Sequence, residues 1–273
     1  MAAASSAPGS PRRGGLYGEE AFEPGVPGEA QRIDYGALAY DPVSRSRLLA
    51  LGVAPGWRCL DVGAGTGSIA RWLAEDIAVA EVVAVDRDTR FLHEAAGPRL
   101  TVLAADVSSP SFAPGLFDLV HARFLLMHLR DRADVLRRLA AAVAPGGLLV
   151  LSDAIDLTTE QAPESDYRSA MLAMWRALRD DIGTDIRWVP EYPGLLHDEG
   201  LTDVGAEVYV PPLTASEPMA RFWPDTWERI RPSMVATGLV TDDRIDAAVR
   251  AVGSRSFSGM SPGMITAWGR RPL

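Results

Sequence analysis

The chain has 273 residues, 47% of them hydrophobic, enough to bury the core of one α/β domain with appendages. Its formal net charge of −9 and its scattered arginines argue against nucleic acid as a partner, since phosphate binding needs clustered Lys and Arg, and favour a small-molecule substrate. A single cysteine, no apolar window of membrane-spanning length and no signal-peptide core set the expectation of a cytoplasmic protein that engages no membrane.

Residues 1–29 are rich in Ala, Ser, Pro and Gly and are expected to form a flexible tail, with residues 30–273 as one domain. Tyr17 and Phe22 are the exceptions in that tail: they either stay solvated with it, which is the expectation, or fold over a pocket. From Glu29 to Leu51 an amphipathic pattern interrupted by Pro42 predicts two short helices, and Pro55-Gly56 a turn before the first strand. Next comes the stretch Cys59-Leu60-Asp61-Val62-Gly63-Ala64-Gly65-Thr66-Gly67-Ser68, a buried strand running into a glycine turn. Ile69, Trp72 and Leu73 then mark the helix behind it. Glycines at alternate positions let backbone approach a ligand closely, and the helix start offers free N–H groups. The spacing is D-x-G-x-G-x-G rather than the G-x-G-x-x-G of dinucleotide sites, and no triphosphate-binding loop is present. A carboxylate at the turn suits an ammonium or sulfonium group better than a pyrophosphate.

Val82-Val83-Ala84-Val85 reads as a second buried parallel strand, ending at Asp86, 19 residues past Gly67. An acid there is placed to accept both hydroxyls of a ribose. Thr101-Val102-Leu103 is a third strand, followed by Asp106 and Val107, suited to an adenine amino group and ring face. Phe117-Asp118-Leu119-Val120 is a fourth, leading into His121, Ala122 and Arg123. A helix from Asp131 stops at Pro145-Gly146-Gly147, and Leu148-Leu149-Val150-Leu151 is a fifth strand. Such a run of βα units predicts a Rossmann-like doubly wound sheet with its ligands outside the carboxyl ends of the strands.

The phrases CLDVGAGTGSIA, VVAVDRD, AADV, FDLVHARFLLMHL and APGGLLVLSD, spread over roughly residues 50–155, resemble the class I S-adenosylmethionine-dependent methyltransferases. The resemblance implies a seven-stranded sheet whose last strand is antiparallel, with 203–210 and 263–268 as the final, hairpin-like pair. It also implies S-adenosylmethionine as the cofactor. Asp61 with Gly63, Ala64, Gly65 and Gly67 would face its methionine part, Asp86 beside Arg87 its ribose, and Asp106 with Val107 its adenine. His121 and Ala122 would close over the sulfonium. FDLVHARFLLMHL and the C-terminal TAWGRRP look like a bacterial group associated with secondary metabolism.

Two helical insertions, at about 154–190 and 213–262, depart from a minimal member of that family and are expected to cap the substrate. The first carries Met171, Leu172, Trp175 and Leu178 at helical spacing; the second carries Phe222, Trp223 and Trp227, then Ile245, Ala248, Val249 and Val252. Trp175, Trp223 and Trp227 are candidate substrate-contacting residues, or else pack the inserts onto the sheet or form a homodimer face. Arg123 would hold an acidic substrate or pair with a neighbouring carboxylate. His128 is the first candidate for a general base; Asp153, then Asp156, follow. The four histidines show no metal-ligand spacing, so no metal is expected. The reading is methyl transfer to O, N or C of a small aromatic or apolar metabolite in natural-product biosynthesis. The alternative is a non-methylating reaction such as a cyclisation with the same cofactor.

Overall fold

The structure is a computed structural model and describes residues 17–19 and 21–273. Seven strands form its central sheet: β1 (Arg58–Val62), β2 (Glu81–Asp86), β3 (Leu100–Ala104), β4 (Phe117–Arg123), β5 (Val143–Ile155), β6 (Thr202–Tyr209) and, after two short strands, β9 (Gly263–Arg270). Their order across the sheet is β3-β2-β1-β4-β5-β9-β6. β1 to β5 pair in parallel, whereas β9 is antiparallel to both β5 and β6. The expected doubly wound sheet with its last strand reversed is therefore present. Chain order reverses between β1 and β4, and that switch point opens a crevice at the carboxyl ends of the strands.

Alternation along the strands divides the core. Leu60, Val62, Val120 and Leu149 point to the face covered by α3 (Arg132–Ala141) and α5 (Tyr192–Asp198). Cys59, Val82, Leu119 and Val150 point to the face covered by α2 (Ser68–Glu75) and the end of α1 (Glu29–Ala50). A third apolar cluster joins α4 (Asp166–Ile182), α6 (Met219–Arg229), α7 (Arg231–Ala236) and α8 (Asp242–Val252) beside the carboxyl edge. Ser165 caps α4 by accepting the Arg168 N–H at 3.1 Å, and Gly183 ends it at φ 79°. A small antiparallel pair, β7 (Pro212–Thr214) with β8 (Ser258–Met260), ties the two ends of the second insertion together and was not expected from the sequence.

Two expectations need correction. Pro42 does not divide the first helical stretch; α1 runs unbroken for 22 residues. Proline there removes one helical hydrogen bond, but its neighbours anchor both sides of the gap. The Tyr40 hydroxyl donates to the Pro262 carbonyl at 2.8 Å, Asp41 accepts from Arg123 at 2.7 Å, and Leu48 is buried in the core. Tertiary contacts outweigh the local break. Within the expected tail, the described residues from Tyr17 to Gly28 are folded, with Phe22 buried against α1 and α6; residues 1–16 lie outside the described ones. Among the described residues no helix is long and apolar enough to cross a membrane.

The turn into α2 combines a left-handed backbone with a close steric contact. Gly67 sits at φ 77°, and a Cβ there would lie 2.8 Å from the Leu92 side chain; Gly200 has a similar φ of 79° with open space around it. Gly200→Ala should cost about 1 kcal/mol from backbone strain alone, and Gly67→Ala roughly 2–4 kcal/mol because strain and clash add. Urea unfolding of the two variants measures the difference, and equal losses would show that the Leu92 contact yields freely.

Candidate active site

A cavity of about 490 Å³ occupies the crevice, lined by the carboxyl ends of β1, β2 and β4, by α1 and by residues of both insertions. Its sheet side begins at the glycine turn. Gly63 and Gly65 take φ 68° and 57°, which bends the backbone so that the Gly63 and Ala64 amides donate to the Val85 carbonyl at 2.8 and 3.1 Å. The turn is thereby held against the end of β2, where Asp86 accepts the Gly65 N–H at 2.9 Å and the Asp88 N–H at 3.2 Å. Burial pushes the Asp86 carboxyl above its ordinary range, and the amides of Gly65, Asp88 and Arg87 counter it. Four lone-pair sites serve two donors there, so Asp86 retains acceptor capacity toward the cavity.

Asp61 and His121 are cross-strand neighbours in the β1–β4 register. His121 Nδ1 lies 2.7 Å from Asp61 Oδ1, both residues are buried and both line the cavity, and His121 Nε2 is buried without a partner. Asp106, Val107 and Arg87 complete this side; Asp106 accepts the Ser108 N–H at 2.8 Å. Gly67 and Ala122 do not line the cavity. Gly67 lies beneath the turn against Leu92, and Ala122 points to the opposite sheet face. Arg123 lines the cavity, but its guanidinium donates to Asp41 at 2.7 Å and Ser44 at 3.1 Å, which is the pairing alternative.

The outer side is aromatic. Tyr17 packs on Phe22 and on His128, with centroids 5.1 and 4.6 Å apart. Trp175 meets Trp223 edge-on at 6.2 Å, and Tyr40 meets Phe124 at 5.1 Å. Each indole is tethered: Trp175 Nε1–H donates to Asp156 at 2.7 Å, and Trp223 Nε1–H to the buried Ser261 hydroxyl at 2.9 Å. Asp156 therefore braces the wall from behind and does not line the cavity. Trp227 is also outside it, fully buried against Tyr167 in the helical cluster. Trp175, Phe222 and Trp223 thus face the cavity and Trp227 the helical core, so none of these four forms an exposed apolar face for a second copy.

Arg32 went unrecognised in the sequence. It donates to Glu29 through Nε at 2.9 Å and to the Tyr17 hydroxyl at 2.8 Å, with its guanidinium 4.3 Å from the Phe22 centroid and 5.2 Å from that of Phe222. Arg229 also meets Glu29, at 3.0 Å. In sequence a Glu–Arg pair three apart on a helix looks like solvent-facing support; only the fold shows it nearly fully buried.

His128 lines the cavity from a short 3₁₀ turn, Leu126–His128, with Nδ1 2.8 Å from the Thr184 hydroxyl. Burial, reinforced by the charges of Arg32 and Arg132, depresses its pKa to about 3. Asp153 does not line the cavity. It is buried beneath the wall, accepts from the Tyr192 hydroxyl and has a pKa pushed up to about 7 by burial. Neither shift matches the simple picture of a base exposed to substrate. Among the described residues there is no group of three or more His, Cys, Asp or Glu that could hold a metal ion.

Residues 60–151 match a family model described as a methyltransferase domain. Phosphoethanolamine N-methyltransferase 3 of Arabidopsis thaliana is 28% identical over 58% of this chain and 31% of its own. Methyltransferase str3 of Strobilurus tenacellus is 36% identical over 35% of each chain. The chain thus spans about a third of the length of these curated relatives. Among solved structures, phosphoethanolamine N-methyltransferase 2 of Haemonchus contortus, in complex with phosphomonomethylethanolamine and S-adenosylhomocysteine, superposes with a TM-score of 0.58 at 18% identity, covering 92% of this chain and 60% of that one. The YcgJ protein of Bacillus subtilis superposes at 0.56 and 17% identity, covering 85% of this chain and 99% of that one. The match to the methyltransferase-domain model lies over the strands and turn that build the sheet side of the cavity, and the superpositions show that the same fold extends over most of the chain.

Proposed function

We propose that the protein transfers the methyl group of S-adenosylmethionine to an oxygen, nitrogen or carbon of a small, uncharged, largely aromatic molecule, as a step in natural-product biosynthesis. One observation carries the choice of acceptor: in the aromatic half of the cavity both arginines are already paired, Arg32 with Glu29 and Arg123 with Asp41. A phosphate-bearing acceptor such as the relatives' names imply would have to break a buried ion pair to find its counter-charge, and breaking such pairs is costly. A flat apolar molecule meets ring faces and edges instead. The phrase FDLVHARFLLMHL supports the biosynthetic setting.

The residues present fit the cofactor. Asp86 has acceptor capacity left for two ribose hydroxyls, Asp106 and Val107 suit an adenine, and Asp61 with the turn from Gly63 to Gly65 suits an amino-acid end. When bound, S-adenosylmethionine supplies a methyl group already activated as an electrophile. The chain's own task is then to orient the acceptor and exclude water. Tyr17 and Phe22, closed over α1 through Arg32, cover the outer side. His128 is neutral at any physiological pH, and with Nδ1 facing Thr184 its Nε2 is left to engage the acceptor's proton. A pKa of about 3 makes it an orienting acceptor rather than a store for that proton. The proton of the acceptor therefore passes to solvent.

Calorimetric titration tests the cofactor. S-adenosylmethionine and S-adenosylhomocysteine should bind in the micromolar range and NAD should not, and Asp86→Ala should weaken both by about 100-fold through the loss of two charge-assisted hydrogen bonds. Binding of NAD alone would overturn the proposal. With binding established, incubation with aromatic metabolites should give products heavier by one methylene, and a rearranged product of unchanged mass would instead identify the cyclisation alternative. His128 makes a separate prediction. Its folded pKa lies below the unfolded 6.5, so the unfolded chain takes up the proton first and stability falls as pH drops from 6.5 toward 3. Between pH 7 and 4.5 the wild type should lose roughly 2–3 kcal/mol relative to His128→Phe, measured by urea unfolding of both at the two pH values; the opposite contribution of Asp153 is common to both proteins and cancels in that difference.

A further inference from the structure

Asp153 ends β5 directly behind the cavity wall, 1% exposed. A carboxylate that deep persists only where donors converge on it. One comes from α5, the hydroxyl of the buried Tyr192. Another comes from the segment after β4, where the Met127 N–H reaches Oδ2 at 3.4 Å. The amides of Leu125 and Leu126 also lie close enough to favour the charged form, although Oδ1 has no bond of regular geometry. The Met127 amide thus reaches the buried carboxyl, with the two preceding amides of the segment close by.

The segment that Asp153 gathers is one the cavity depends on. It opens with Phe124 at φ 53°, a left-handed conformation that a bulky residue keeps only when its surroundings hold it there. Leu125 then covers the glycine turn so closely that a Cβ on Gly63 would come within 3.0 Å of it. Met127 and His128 line the cavity two and three residues further on. From the other side, the Asp185 N–H donates to the Met127 carbonyl at 2.8 Å, so the segment is clasped but has no regular secondary structure beyond its short 3₁₀ turn. Tyr192 is itself fixed edge-on by Trp188 at 5.3 Å.

We infer that Asp153 is a positioning residue: with Tyr192 behind it, it draws in the amides of Leu125, Leu126 and Met127 and so sets Leu125 over the glycine turn and His128 against Tyr17. The role reaches the cofactor through the wall, without contact, and its cofactor arm rests on the methyltransferase reading above.

The test pairs amide hydrogen exchange with calorimetric titration of S-adenosylhomocysteine, on full-length wild type, Asp153→Ala, Asp153→Asn and Tyr192→Phe. In Asp153→Ala, exchange should accelerate about ten-fold in peptides covering 124–129 and stay unchanged in β1 and β2, while affinity for S-adenosylhomocysteine falls about ten-fold. Asp153→Asn keeps an acceptor for the amides and should restore both to within about three-fold of wild type. Tyr192→Phe removes one donor with little change of volume, and should accelerate exchange in the same segment by about three-fold even if Asp153→Ala does not fold. Unchanged exchange at 124–129 would overturn the inference, as would acceleration spread evenly through the sheet, which marks a general stability role. Failure of the wild type to bind S-adenosylhomocysteine would count against the methyltransferase reading alone, since the exchange arm decides the positioning role by itself.

Discussion

The geometry of the cavity depends on one backbone constraint, the run of left-handed glycines between β1 and α2. With Gly63, Gly65 and Gly67 all at positive φ, the chain leaves the centre of a parallel sheet, folds onto the end of β2 and enters a helix within six residues. Side chains at Gly63 and Gly67 would meet Leu125 and Leu92. Because the turn is pinned to Val85 and Asp86 by its amides, the carboxylate at the end of β2 and that at the end of β1 acquire fixed positions without any contact between them. The sheet side of the site is in this sense made by main chain, and its few side chains are those that strand ends already deliver.

The outer half is built on a different principle. It draws Tyr17 and Phe22 from the N-terminal segment, Arg32 and Tyr40 from α1, Trp175 from α4 and Phe222 and Trp223 from α6. These are held by neutralised charge and tethered N–H groups. Glu29 takes both Arg32 and Arg229, and Asp41 takes both Arg45 and Arg123. An unpaired guanidinium in so apolar a chamber would be costly, and a paired one can stack on rings as Arg32 does between Phe22 and Phe222. Each tryptophan likewise hands its only polar atom to a partner behind the wall, leaving ring carbon toward the cavity.

That contrast explains what could be read in the sequence. Strand order, the glycine turn, Asp61, Asp86 and Asp106 are legible because parallel strands buried on both faces are continuous apolar runs and because ligand-facing residues must fall just past their ends. Pro42 misled because a local breaker is weighed without the Tyr40 and Asp41 contacts that hold α1 straight across it. Trp175 and Trp227 are indistinguishable by type and helical spacing, yet one lines the cavity and the other is sealed in the helical cluster. Arg32 and Glu29 looked like surface residues because burial of α1's first turn depends on α6, some 190 residues later. Asp153 lies among the last residues of β5 and Asp156 just past it, and strand position alone does not tell that neither would face the cavity.

The two halves differ, finally, in what a substitution does to them. At the glycine turn the backbone itself would have to move, and with it Asp86 and the end of β2, so change there falls on fold and cofactor together. In the outer half, a change at Trp175 or Phe222 alters volume and ring geometry while the sheet, the turn and the paired charges remain as they are. A residue such as Asp156 or Ser261, which meets the wall through an indole N–H, shifts it by degrees instead of removing it. In the proposed reaction, acceptor choice is a matter of side-chain volume on the inserted helices and cofactor handling one of backbone conformation in the sheet. The segment from Phe124 to His128 is where the two meet, since Leu125 presses on the glycine turn and His128 on Tyr17.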